Sequence, residues 1–466
     1  MVALVGASAP AFAQGQPSQP GVTQAPAGTS GGPRRAWFGN GAGRLGQNLS
    51  GRLSLGGGQI QQKLTNSVTF DETVRRSENW HASGGLTYGL TGSRASLAVS
   101  GGSNVQSFPA LAGNAVISYW GLVNTAGQLS TRTNVSASVG AYREPTIARY
   151  FRGLFDSGSG QGLSPDIDIG DFGDVRDVAL SYQATADLSQ ALTTHSVLSF
   201  GYAHRRSRYG SADQSQIHDN ASARYRVSLT PSLGFHAGYR YIVSRSDLAD
   251  AVKSEGHDID AGIDFSKAFS LSLSPNTTLS FGTGSSIVRS RNQTRFVVTG
   301  NVGLTHRIGR SWSAGAHYSR NVRFLEGVTD IAVVDSLGAD VGGSVSRRAG
   351  VGASVSATRG NVGLGSAQNP FRGLTARVGT SVAASTNVGV SINYTYFRSR
   401  FDRADFLLSP DLRAFERHSA GVSVGFWGLV AVGVNYTNYN RQLNHNQAVL
   451  ASVTLFAPLY ARVRRF

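Results

Sequence analysis

Cysteine is absent from the 466 residues, and methionine occurs only at position 1. No disulfide framework or thiolate metal site can therefore be built, which suits an exported protein without fixing the compartment by itself. Lysine is nearly missing too: Lys63, Lys253 and Lys267 are the only three, so arginine carries almost all of the +16 net charge. Beyond the N-terminus there is no run of about 18 uncharged apolar residues, which argues against a helical membrane span and leaves any membrane reading to strands. A hydrophobic content of 40% beside 58 glycines disfavours a soluble α/β enzyme. No change of composition divides Arg44 from Phe456, so that region reads as one unit.

Met1 to Ala13 is an apolar stretch of small residues closing on Ala11-Phe12-Ala13 before Gln14. Residues 1–13 read as a signal peptide with an A-x-A cleavage site; its missing basic start places the true start codon upstream. Gln14 to Arg35 is rich in Gln, Pro, Gly, Ser and Thr, and residues 14–43 are expected to form a flexible periplasmic leader. That leader is too short for a plug domain.

What the chain does contain is period-two alternation, repeated as a unit. Val135, Ala137, Val139 and Ala141 interleave with Asn134, Ser136, Ser138 and Gly140. The same pattern carries Leu198, Phe200, Tyr202; Leu233, Phe235, Ala237, Tyr239, Tyr241; and Trp312, Ala314, Ala316, Tyr318. Late copies are Val388, Val390, Ile392, Tyr394, Tyr396 and Val430, Val432, Val434, Tyr436. Each follows a second alternating run and a short turn, such as Thr230-Pro231-Ser232, Ile308-Gly309-Arg310 or Trp427-Gly428, which makes hairpins. One face is apolar and the other small and polar, strand after strand. A soluble sandwich or β-helix also alternates, but would not repeat a Gly/Ser-rich face so consistently; such a face suits a wide, wet lumen.

The expectation is an all-β fold: a single transmembrane, antiparallel up-and-down barrel of about 18 to 20 strands over residues 44–457, with a C-terminal tail over 458–466. Short turns lie on the periplasmic side, and longer loops such as Arg208 to Gln216 and Asp402 to Leu412 lie outside. Pro458 is expected to end the last strand, placed at Gln447 to Phe456. In this pattern, and in its terminal aromatic Phe466, the chain resembles bacterial outer-membrane β-barrel proteins, porin-like or exopolysaccharide-exporting, over nearly all of Leu45 to Phe466. The resemblance implies a Gram-negative outer membrane, with lipid, lipopolysaccharide and the barrel-assembly machinery as partners and Phe466 as assembly signal.

Alternation places Arg224, Arg226, Arg240, Arg295, Arg307, Arg323 and Arg377 inward, where a ring of arginines lining a pore selects anions. The longest loop, Glu144 to Asp174, carries Asp156, Asp166, Asp168, Asp171 and Asp174. It is the third outer loop and looks like the inward-folding constriction loop of diffusion porins. Its Asp166-Ile167-Asp168-Ile169-Gly170-Asp171 run lacks the twelfth-position glutamate of an EF-hand, so no metal is assigned. Tyr142, Tyr202, Tyr239, Tyr318, Tyr394 and Tyr436 are expected at the outer bilayer interface, with Trp312 and Trp427 marking the inner one.

Glycine clusters such as Gly158-Ser159-Gly160-Gln161-Gly162 have no strand-loop-helix context for phosphate. No His/Ser spacing singles out a catalytic pair, and the scattered arginines lack the stacking aromatics of a nucleic-acid site. Neither an enzyme nor a cofactor is expected. Three functions remain: a passive channel for polar, preferentially anionic solutes; a secretion pore for an anionic exopolysaccharide; and a non-conducting structural or adhesive barrel.

Overall fold

A computed structural model describes residues 44–465 apart from 66–71, 108–114, 146–177, 210–213, 231–232, 248–251, 270–275, 291–292, 325–330, 364–367, 403–413 and 442–443. The described chain is made of twenty strands. They are β1 (Arg44–Thr65), β2 (Glu72–Thr91), β3 (Ala95–Ser107), β4 (Ala115–Ser130), β5 (Thr133–Pro145), β6 (Val178–Ala191), β7 (Ser196–Tyr209), β8 (Gln214–Ser228), β9 (Leu233–Ser246) and β10 (Val252–Phe269). The second half comprises β11 (Thr277–Ser290), β12 (Gln293–Ile308), β13 (Trp312–Phe324), β14 (Ile331–Ser346), β15 (Ala349–Val362), β16 (Asn369–Ala383), β17 (Val388–Phe401), β18 (Ala414–Phe426), β19 (Val430–Arg441) and β20 (Asn444–Arg465).

Every strand pairs antiparallel with its neighbour in sequence, and β1 pairs with β20, so the sheet closes on itself. Closure leaves no strand edge, the condition for a sheet to survive where no water can satisfy its N–H and C=O groups. The closing seam runs from Arg44↔Arg465 to Leu64↔Asn444 and slips once, where Leu49 faces Tyr460 and Ser50 faces Pro458. Leu459 is thus left over as a bulge. A side-chain bond reinforces the seam, with the Thr454 hydroxyl donating to Ser54 Oγ at 3.0 Å.

That bulge corrects the expected ending. Pro458 does not stop β20: proline has no N–H to give, but a bulge tolerates this, and the ladder resumes to Arg465. Residues 458–465 are therefore strand and not tail, while Phe466 lies outside the described residues. The loop-like Arg208–Gln216 is also mostly ladder, since β7 runs to Tyr209 and β8 begins at Gln214.

One end of the barrel is closed by tight connections such as 347–348 and 309–311, while the other carries 146–177 and 402–413. Two connections at that second end, 291–292 and 442–443, are as short as turns. At Phe426–Leu429 both central residues have positive φ, 52° for Trp427 and 67° for Gly428, and the Leu429 N–H donates to the Phe426 carbonyl at 3.0 Å. This is a type I′ turn, whose twist matches the flanking strands.

Alternation sets the two faces. On β17, Ile392 and Tyr394 are open on the outside at 49% and 41% exposure, while Phe397 and Phe401 on the opposite parity are buried. Val388 to Tyr396 covers about 27 Å along a strand; a tilt of about 40° turns this into about 21 Å of height, close to the apolar band of a transmembrane barrel. The outward tyrosines carry their hydroxyls to polar partners: Tyr318 donates to Asp335 at 2.7 Å and Tyr202 to Asp219 at 3.2 Å. Tyr239 and Tyr394 meet the Nδ1 atoms of His257 and His418, at 2.7 and 2.8 Å. Each ring is apolar and each tip wet, the arrangement of an interfacial belt.

At the turn end, Trp312 lies flat over Gly343, its cross-strand partner. A Cβ at Gly343 would stand 2.5 Å from the indole Cγ and Cδ2 and 2.6 Å from the Ser311 carbonyl. Gly343→Ala is therefore expected to lower stability by about 1–3 kcal/mol through overpacking, read as the urea midpoint, and to red-shift the fluorescence. Gly342→Ala, whose Cβ would meet nothing nearer than 3.7 Å, should leave both readings unchanged.

Candidate functional site

The inner face of the barrel is the one surface that collects polar side chains from all twenty strands. The seven arginines assigned to it share the parity opposite to the lipid-facing residues of their strands: Arg224 and Arg226 alternate with Tyr225, Arg240 with Tyr239, and Arg295 with Phe296. Arg307 alternates with Ile308, Arg377 with Val378, and Arg323 with Tyr318.

They do not form one ring. Arg226 lies two residues from the turn end of β8, and Arg307 is the penultimate residue of β12. Arg295 and Arg323 sit at the opposite, loop end of β12 and β13, and Arg240 and Arg377 lie midway along β9 and β16. Arg295 and Arg307 share a strand yet are about 40 Å apart along it. Alternation specifies a face but not a height.

Their surroundings differ as well. Arg224, Arg226 and Arg307 are exposed to the lumen near the turn-side mouth. Arg240 is instead locally compensated. Its Nε donates to Asp258 Oδ2 at 2.7 Å, its Nη2 makes a second bond to the same oxygen, and the Ser286 hydroxyl donates to Asp258 Oδ1 at 2.5 Å. Asp258 is 4% exposed, so Arg240 serves mainly to neutralise a buried carboxylate on the barrel wall.

The loop-side half of the lumen holds a cluster absent from the sequence-derived set. Phe371, Phe397, Phe401, Phe415 and Tyr439 all have inward parity, on four adjacent strands, and each is at most 3% exposed. Phe371 stacks on Phe401 at 5.8 Å, Phe397 meets Phe415 at 5.8 Å, and Phe415 meets Tyr439 at 6.4 Å. Arg417 is buried between them, registered against Phe397 and Tyr439. Among and beside these rings the small hydroxyl residues Ser356, Thr375, Ser399, Ser419 and Thr437 are also buried. The lumen is therefore open and cationic at its turn end and closely packed in this sector of its loop end. The signal was present in the sequence: Phe397, Phe401 and Phe415 fall on the parity otherwise given to Asn, Ser and Gly.

Tyr142 is a correction of the same kind. Its parity is that of Ser136, Ser138 and Gly140, not of Val139, which is 60% exposed on the outside. It points into the lumen, is registered against Trp120, and accepts a hydrogen bond at 3.0 Å from Gln183 Nε2. Tyr202, Tyr239, Tyr318, Tyr394 and Tyr436 lie on the outer face, as do Trp312 and Trp427, the latter in its turn at 67% exposure. Asp156, Asp166, Asp168, Asp171 and Asp174 lie outside the described residues.

Removing Arg240 alone leaves the buried Asp258 carboxylate with the Ser286 hydroxyl as its partner among the described residues. Arg240→Gln should cost about 1–3 kcal/mol of barrel stability, and the double change with Asp258→Asn should recover most of it. Urea midpoints of the three proteins in one detergent measure this. Equal midpoints for Arg240→Gln and wild type would dismiss the pairing.

No family model and no curated protein matches the chain. Among solved structures it is similar to the siderophore receptor PirA from Pseudomonas aeruginosa, at 11% identity over 88% of this chain and 80% of that one, with a TM-score of 0.44. It is similar to the FrpB iron transporter from Neisseria meningitidis (11% identity, 88% and 82% covered, TM-score 0.48) and to the ferric-catecholate import receptor Fiu from E. coli K12 (10%, 91% and 82%, 0.48). A closed antiparallel twenty-strand barrel with a lipid-facing apolar exterior and a polar interior is the architecture of a bacterial outer-membrane protein, and that membrane is where this chain resides.

Proposed function

We propose that the barrel is an outer-membrane conduit for polar solutes with a preference for anions. The observation that carries this reading is the placement of Arg224, Arg226 and Arg307, exposed and inward-facing within a few residues of the turn-side ends of their strands. Lysine is nearly absent, so each is a permanently charged guanidinium able to make bidentate contacts with carboxylates or phosphates.

Dimensions decide how much such charges can do. Twenty strands about 4.8 Å apart and tilted by about 40° give a round barrel about 40 Å across between backbones, and side chains leave an open radius of about 10 Å. The Debye length is about 8 Å at 0.15 M salt and about 30 Å at 0.01 M. Wall charges therefore act across the whole stream in dilute salt, and at 0.15 M their effect falls to about a third by the barrel axis. Selectivity on this reading is salt-dependent, and solutes pass the packed sector of β16 to β19 at the loop end before meeting the cationic mouth.

Reversal potentials across planar bilayers under a salt gradient test the proposal. Wild type should favour anions, more so near 0.01 M than near 0.15 M salt. The combined change of Arg224, Arg226 and Arg307 to Gln should reduce the anion-to-cation permeability ratio several-fold with little loss of conductance. An unchanged ratio would reject the cationic mouth, and a barrel without conductance in any salt would be a structural or adhesive one. Blockage by an anionic polysaccharide added on the turn side, with small anions passing freely, would favour the export pore.

A further inference from the structure

The outer surface carries a second arginine constellation that the lumen does not explain. Along one hydrogen-bonded row across β13 to β17, Arg320 faces Asp335, Asp335 faces Arg359, Arg359 faces Arg372, and Arg372 faces Arg400. All five share the lipid-facing parity of their strands, with Tyr318, Leu337, Val355, Leu374 and Tyr394.

Asp335 is divided between the Nε atoms of Arg320 and Arg359, at 3.8 and 3.7 Å. It is the single carboxylate for a row of four arginines. Arg359 keeps 82% of its side chain exposed. Among the described residues neither Arg372 nor Arg400 has an ion-pair partner. Like charges directly opposite across a ladder have Cβ atoms about 4.5–5.5 Å apart and are destabilising. Three arginines abreast therefore weaken the isolated barrel, and an anion spanning them would reverse the sign.

Their height selects that anion. Leu374 is the outward residue immediately beyond Arg372 toward the turn end, and Val355, Val378, Ile392 and Tyr394 continue an exposed apolar surface below it, at 38–51% exposure. A ligand seated here places acyl chains against that surface and phosphates against the guanidiniums, on the end with the longer connections. We propose that the Arg359–Arg372–Arg400 row binds the phosphate groups of the phosphorylated glycolipid, the lipopolysaccharide, that faces this end of the barrel in the outer leaflet. Adjacent guanidiniums suit phosphate because each offers parallel N–H donors in a fixed plane.

The test uses the full chain purified in detergent and three probes: phosphorylated lipopolysaccharide, the same material stripped of phosphate by hydrofluoric acid, and inorganic phosphate. Glycolipid retained per barrel is read by native mass spectrometry, and stability by the melting temperature with and without glycolipid. The combined Arg359→Gln, Arg372→Gln, Arg400→Gln variant should bind the phosphorylated glycolipid about tenfold more weakly and lose its glycolipid-dependent rise in melting temperature. Without glycolipid it should melt at or above wild type, because the lateral repulsion is gone. Arg289→Gln, an outward arginine registered against Glu255, should bind like wild type.

Should the triple variant fail to fold, Arg372→Gln alone removes the middle of the row and should weaken binding about threefold. The proposal is overturned by equal binding of wild type and either variant, by equal binding of the stripped and phosphorylated glycolipids, or by displacement of glycolipid with inorganic phosphate. The last outcome would make the row a free-anion site.

Discussion

The constraint on which everything else depends is that a backbone crossing lipid must find all its hydrogen-bond partners within itself. A sheet meets it only by closure, and here closure joins the two ends of the chain: β1 and β20, each 22 residues long, pair from Arg44↔Arg465 to Leu64↔Asn444. The seam cannot be sacrificed to local sequence preference, because an open edge would strand N–H and C=O groups in hydrocarbon at several kcal/mol each. A proline within that seam is accordingly absorbed by a one-residue bulge. The ladder keeps its continuity and the cost is confined to Leu459.

Closure also explains which properties were legible in the sequence. A period of two is imposed wherever one face meets lipid and the other water, so the alternation of Val430, Val432, Val434 and Tyr436 announces both strand and face. Tyr142 and Phe397 are hard to place from sequence for one reason: aromatic character suggests the lipid face, although parity is the quantity the ladder enforces. Height was not legible, since Arg295 and Arg307 have identical parity and opposite ends of one strand. Long-range compensation was equally hidden. That Arg240 belongs to Asp258 depends on the register of β9 on β10, which composition alone does not reveal.

Arginine thus occupies three environments that a net charge of +16 cannot distinguish. Near the turn-side mouth it is exposed to the lumen, at Arg240 it is tied to a buried carboxylate, and on the outer wall of β15 to β17 it stands three abreast beside one shared carboxylate. The near absence of lysine fits all three. A guanidinium keeps its charge when partly dehydrated, donates in two parallel directions and packs its flat face against tyrosine or phenylalanine. Arg143 does the last on the exterior, 5.8 Å from the Tyr119 ring centroid.

Small residues complete the arrangement by giving large ones somewhere to lie. A Cβ at Gly338 would stand 2.3 Å from the His317 ring, and one at Gly360 would stand 2.7 Å from Phe371. Inward rings can therefore recline against a neighbouring strand and need not project across the lumen. Such glycines let histidines, phenylalanines and a tryptophan occupy the inner face without crossing the lumen. Where hydroxyl residues such as Thr375, Ser399 and Ser419 stand among and beside Phe397, Phe401 and Phe415, the wall is continuous and buried. The change from open to packed lumen is thus written in the inward-facing positions, and the lipid-facing positions carry none of it.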